Sequence, residues 1–189
     1  GNYSLDANTS GDDNVSVGYN SLTANTTGKE NSAIGSGSLK FNTTGNYNSA
    51  LGNAALYANT TGDYNNAVGD VALYNNTTGD GNSAFGNNSL HSNTTADANT
   101  AIGHRSLYAN TTGTRNIGIG YNALDAPDTE NDNLAIGYDA LGGAINGGEY
   151  NVAIGNYSLD ANTSGDFNVG VGYEALSGNT TGSSNTMVG

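Results

Sequence analysis

Val17-Gly18, Ile34-Gly35, Leu51-Gly52 and Val68-Gly69 set the rhythm of this chain, a large apolar residue followed by glycine every 17 residues. Glycine stands at 1, 18, 35, 52, 69, 86, 103, 120 and 137, and after one step of 18 at 155, 172 and 189. The 189 residues are therefore eleven copies of one unit and a closing glycine. With that glycine as position 1, position 5 is Leu and position 14 is Asn in every copy, the extra residue of the ninth copy lying before Asn151. Position 17 is always Val, Ile, Leu or Phe, positions 4 and 16 are nearly always Ser, Ala or Gly, and Asn-Thr-Thr-Gly or a close variant lies between them. A short fixed period is the sequence signature of a solenoid, in which each unit buries its apolar residues only against its neighbours.

Helical periodicity is absent, and two glycines per rung would break a helix. The pattern predicts an all-β fold, a parallel β-solenoid (β-roll) with two strands per rung. Asn-x-Ala-Ile-Gly reads as one strand and Ser-Leu-x-x-Asn as the other, with Asn-Thr-Thr-Gly as a turn whose glycine supplies a positive φ. Rungs stack about 4.8 Å apart, so equivalent residues form columns. The Leu column (Leu5, Leu22, Leu39, Leu56) and the position 17 column (Val17, Ile34, Leu51) are expected to form an apolar seam inside the coil. Asn48, Asn65, Asn82 and Asn99 are expected to form an amide ladder, as in other stacked β structures. Residues 15 and 17 share one face of the strand, so position 16 is expected to point outward. That column is Ala33, Ala50, Ala67, Ala84, Ala101, Ala135 and Ala153, small and apolar where a lone rod would carry polar groups. Contact with other chains is the expected reason, which makes these alanines a candidate oligomer interface.

The unbroken period reads as a single repeat domain, 1–189, with rungs starting at Gly1, Gly18, Gly35, Gly52, Gly69, Gly86, Gly103, Gly120, Gly137, Gly155 and Gly172. Ala126 to Tyr150 departs from the pattern, carrying the only proline, Pro127, and the inserted residue. It reads as a decoration on one edge, because the strands on either side must keep register. Gly155–Asp166 is identical to Gly1–Asp12. The expectation is a segment of a longer repetitive fibre, with a recent internal duplication as the other reading.

Acidic residues outnumber basic ones 17 to 4, a net charge of −13, which disfavours nucleic acid and anionic membranes as partners. No apolar run is long enough to span a bilayer and no segment reads as a signal peptide. Cysteine is absent, so disulfides and thiolate metal sites are excluded. The only histidines are His91 and His104, and no Ser-His-Asp or paired-carboxylate motif stands out of the repeat, so the reading is not an enzyme. Three columns carry candidate chemistry. Asp63, Asp80 and Asp97 share position 12 and are a candidate Ca²⁺ site through oxygen ligands, the other reading being a solvated column screened by salt. Tyr57, Tyr74, His91 and Tyr108 share position 6, a stripe for a ligand or glycan or simply rings stacked along a rod. Thr26-Thr27, Thr43-Thr44 and Thr60-Thr61 make a regular hydroxyl array, which suits ice binding and suits ordinary turn chemistry equally.

Asn31-Ser32-Ala33-Ile34-Gly35 and Asn65-Asn66-Ala67-Val68-Gly69 resemble the head repeats of trimeric autotransporter adhesins. The longer form, Gly-x-x-Ala-Leu-x-x-Asn-Thr-Thr-Gly-x-x-Asn-x-Ala-Ile, is similar to the repetitive shafts of phage tail-fibre-like proteins and related bacterial surface proteins. The resemblance covers all eleven copies. It implies a left-handed, homotrimeric β-roll, located outside the cell, on its surface or on a virion fibre. The implied partners are further copies of the chain and a host or cell-surface glycan or protein. The expected function is a structural fibre shaft or adhesin without a cofactor, and the alternative is an ice-binding solenoid using the Thr columns.

Overall fold

The computed structural model describes residues 1–126, 129–143 and 146–189. Pro127, Asp128, Ala144 and Ile145, which belong to the departure between Ala126 and Tyr150, lie outside the described residues. Each rung contributes one strand of three residues, from β1 (Val15–Val17) and β2 (Ser32–Ile34) through β3 (Ser49–Leu51), β4 (Asn66–Val68), β5 (Ser83–Phe85) and β6 (Thr100–Ile102). The series continues with β7 (Ile117–Ile119), β8 (Leu134–Ile136), β9 (Val152–Ile154), β10 (Val169–Val171) and β11 (Thr186–Val188). They form one 11-stranded parallel sheet in chain order. The register places equivalent residues side by side, Ala50 beside Ala67 and Leu51 beside Val68. The parallel β-solenoid and its 17-residue rung are thus as the sequence predicts.

The second strand is not there. Positions 2 to 7 form turns, because positions 3 and 5 take left-handed backbone, as at Val71 (φ 50°) and Leu73 (φ 52°). The backbone still bonds from rung to rung: Leu56 N–H donates to the Ala72 carbonyl (3.0 Å), Ala58 to Tyr74 (3.0 Å) and Thr60 to Thr77 (2.9 Å). Hydrogen bonding therefore runs around the coil, while the extended conformation is confined to positions 15 to 17. Position 1 is a positive-φ glycine for two reasons. Gly52 has a φ of 145°, and a Cβ there would lie 2.7 Å from the Gly69 carbonyl carbon. The turn glycine at position 11 does not take the left-handed conformation expected of it. Its place is held by its carbonyl: Gly62 O accepts both Asn59 Nδ2 (3.0 Å) and Asn48 Nδ2 (2.8 Å). Ala96 supplies the same carbonyl to Asn82 Nδ2 at 2.8 Å and to Asn93 Nδ2 at 3.1 Å.

The interior is thin and is filled in an order the sequence reading inverted. Every described rung between Leu22 and Leu159 buries its position 5 leucine completely. Beside it lie the position 16 residues, and Ala33, Ala50, Ala67, Ala84, Ala101, Ala135 and Ala153 are 0–2% exposed within the single chain. They point into the coil, so they cannot be the surface that meets other chains. The large residues of position 17 point out instead, with Ile34 at 43%, Leu51 at 49% and Phe85 at 42% exposure. Strand parity was read correctly and its sense reversed. Two buried asparagine columns and the leucine already fill the cross-section, leaving room for a methyl group and no more.

The asparagine ladder at position 14 is present: Asn48 N–H and Nδ2 both donate to Asn31 Oδ1, at 3.0 and 3.2 Å. A second ladder, at position 8, runs beside it, Asn59 Nδ2 donating to Asn42 Oδ1 (2.8 Å) and Asn76 Nδ2 to Asn59 Oδ1 (2.9 Å). Buried amides carry a large desolvation cost unless paired, and these are paired along their columns.

Candidate functional site

The outward face of the sheet consists of positions 15 and 17. No rung places Asp, Glu, Lys or Arg at either position, although the chain carries a net charge of −13. Position 17 is apolar throughout, and position 15 adds Val15 (49% exposed) and Ile117 (38%). Exposed aromatic rings flank this face, Tyr47 and Tyr64 at position 13 and Tyr121 and Tyr138 at position 2. At the spacing of stacked strands the strip is roughly 50 Å long, and it is contiguous. A single soluble chain rarely exposes so long an apolar strip. The sequence reading missed this face because it counted position 17 as core. The signal available was volume, since a coil with two buried asparagine columns has no space for eleven large side chains on its inner wall.

Asp63, Asp80 and Asp97 do share a column, and each carboxylate is engaged by backbone. Asn46 N–H donates to Asp63 Oδ1 (2.6 Å), Asp63 N–H to Asp80 Oδ1 (2.7 Å) and Asp80 N–H to Asp97 Oδ1 (2.8 Å). Asn131 and Asp166 play the same part for Thr114 and Glu149. Position 12 is thus a cap for the rung before it. Among the described residues no group of three or more His, Asp or Glu side chains is placed to hold a metal ion.

The position 6 rings form a continuous half-buried stack: Tyr57 on Tyr74 at 4.9 Å, Tyr74 on His91 at 5.4 Å and His91 on Tyr108 at 5.2 Å. Ring planes are within 3° of parallel at the first two steps. Burial lowers the His91 pKa below the ordinary histidine value, and its buried Nδ1 has no hydrogen-bond partner. The stack ends at Tyr108, where the Arg105 guanidinium lies 4.2 Å from the ring centre and reaches Asp125 at 3.7 Å. Burial raises the Asp125 pKa, and the Arg105 charge opposes that rise. Stacked this closely, the rings offer a ligand their edges and not their faces.

The threonine pairs divide. Position 9 hydroxyls are used within the rod, Thr43 Oγ1 donating to the Thr60 carbonyl (2.9 Å) and Thr60 Oγ1 to Thr77 (2.9 Å). Position 10 (Thr27, Thr44, Thr61, Thr78, Thr95, Thr112) is exposed. No helix among the described residues is long and apolar enough to cross a membrane. No protein family, curated protein or solved structure matches the chain.

Proposed function

We propose that this chain is the shaft of an extracellular fibre or adhesin, a rod whose copies assemble side by side, as a homotrimer, through the outward face of the sheet, and serve attachment to a surface. The observation that carries this reading is the uncharged apolar column of position 17, which no rung buries: Val17, Ile34, Leu51, Phe85, Ile102 and Val188 are exposed on the single chain, and Val68, Ile119, Ile136, Ile154 and Val171 are half-buried. A second copy fits that face better than an unrelated surface does. Its side chains repeat at the same spacing of about 4.8 Å, so ridges and gaps stay in phase from rung to rung. Positions 15 and 17 carry no acid, so the centre of such a seam is free of carboxylates, while Asp13, Glu30 and Asp132 at position 13 and Asp70 at position 2 lie at its edges. The mechanism is mechanical: ladders of Leu, Asn and backbone hydrogen bonds hold the rod straight, and the turns are displayed outward. No catalytic role is part of this reading.

Light scattering on the purified chain tests it. The wild-type chain should have a multiple of its 19.0 kDa mass at micromolar concentration. The triple variant Phe85→Glu, Ile102→Glu, Ile119→Glu should retain its β circular dichroism and fall to the monomer mass. A wild-type monomer, or a triple variant that keeps its assembly, contradicts the proposal.

The exposed position 10 threonines favour a second reading, an ice-binding rod with a single hydroxyl column. Thermal hysteresis in the wild type that disappears on Thr61→Val, Thr78→Val, Thr95→Val would support it, and absence of hysteresis would remove it.

A further inference from the structure

The corner formed by positions 2, 3, 6 and 7 changes character after Tyr108. In the rungs from Gly52 to Ile119 position 6 is filled by stacked rings, whereas in the following four rungs it is Asp125, Gly142, Asp160 and Ser177. Where the rings stop, a groove opens along the rod. One stretch, lined by Tyr157, Asp160, Tyr173 and Glu174, has a volume of about 510 Å³. A second stretch of about 330 Å³ reaches back to Asn122 and Asp139 and shares Tyr157 and Asp160 with the first. That volume falls in the usual range for small-ligand sites.

Among the described residues three buried side-chain polar atoms lack a hydrogen-bond partner, His91 Nδ1 in the ring stack and two at this groove. Elsewhere the buried amides are paired along their ladders, yet Asn122 Oδ1 and Asp160 Oδ1 are buried and accept no hydrogen bond. Both are acceptors, and buried acceptors are ordinarily satisfied. Partial burial raises the Asp160 pKa, and backbone hydrogen bonds to its carboxylate oppose the rise. Tyr157 and Tyr173 stand edge to face, ring centres 6.2 Å apart, and wall the groove with aromatic surface. No Lys or Arg lines either stretch. The required occupant is rich in hydrogen-bond donors, has apolar C–H faces to lie against tyrosine, and is linear.

We propose that this groove binds a neutral oligosaccharide, a sugar face resting on Tyr157 or Tyr173 and its hydroxyls donating to the groove's acceptors, with a side-chain rotation bringing the enclosed Oδ1 atoms of Asn122 and Asp160 to the ligand. Asn122 and Asp160 stand two rungs apart, about 9.6 Å along the rod at the spacing of stacked strands, a span that suits successive residues of an extended chain. The carboxylates are spread along the groove and are not gathered around one point, which suits separate hydroxyls better than a single cation. The site uses none of the outward sheet positions, so it is independent of whether the chain assembles.

The test is NMR titration of the full chain, in whatever assembly it forms, with cellotetraose, maltotetraose, chitotetraose and mannotetraose, and in parallel with spermine. At least one saccharide should shift the Tyr157 and Tyr173 resonances. Tyr157→Ala and Asp160→Ala should each weaken that binding tenfold or more, with circular dichroism unchanged, whereas Tyr64→Ala should leave it as it was. If the Tyr157 variant misfolds, Asp160→Ala and Tyr173→Ala carry the same expectation. No binding by any of the four sugars, binding untouched by these variants, or binding of spermine alone would each overturn the assignment.

Discussion

Leu73 takes a φ of 52°, a conformation that costs a bulky L-residue about 1–2 kcal/mol, and its equivalents do so in every rung. Complete burial of a leucine side chain returns about 1.5–3 kcal/mol, and the Leu73 N–H gains the Ser89 carbonyl at 2.9 Å. Burial wins, narrowly, and only because the side chain is fully enclosed. Leu73→Ala should therefore cost about 2–5 kcal/mol per chain, since the cavity adds to the lost transfer energy while the backbone strain remains. Exposed Asp70→Ala should stay within about 0.5 kcal/mol. Equal midpoints of the two variants in urea would show that position 5 does not hold the rod. The leucine was legible in the sequence as an invariant core position. Its backbone was not, because nothing marks a leucine as left-handed, and with it went the second strand.

Each column of one residue type behaves as an element, and its fate depends on what the column can share. The asparagines share hydrogen bonds along the rod, and this was legible at position 14 from the unbroken run of Asn. The position 8 ladder hides within Asn-Thr-Thr-Gly, which reads as a turn by composition alone. The rings of position 6 share faces, as their common position predicts, but the same stacking takes those faces away from any ligand. His91 is the weak member of that stack. Its pKa is lowered in the folded chain by burial, so the unfolded chain binds the proton more readily, and stability must fall as pH drops below about 6.5. Thermal midpoints measured at pH 7.5 and pH 5 should differ less in His91→Tyr than in the wild type. An identical acid response in the two would mean that the imidazole is not desolvated in the stack.

The period predicted the architecture, a parallel β-solenoid, because a fixed 17-residue repeat leaves each rung only its neighbours to pack on, but it was expected to carry two strands per rung where the structure has one. What the period could not decide was which side of the strand faces in. Ala84 and Phe85 are adjacent, one buried and one 42% exposed, and hydrophobicity favours the larger residue as core. Volume decides otherwise, and it moves the case for assembly from the small column to the large one. Nor does the period reveal the groove beyond Tyr108, which depends on four rungs in which position 6 stops being aromatic. Thiol labelling addresses the central claim most directly, since the chain has no cysteine and each introduced one is alone. Ala101→Cys, Ile102→Cys and Thr95→Cys would be reacted with a maleimide across a range of protein concentrations. Thr95→Cys should label fast and Ala101→Cys slowly at every concentration, while Ile102→Cys should label fast when dilute and become protected as the chains assemble. Ile102→Cys labelling as fast as Thr95→Cys throughout would contradict an interface on the sheet's outer face.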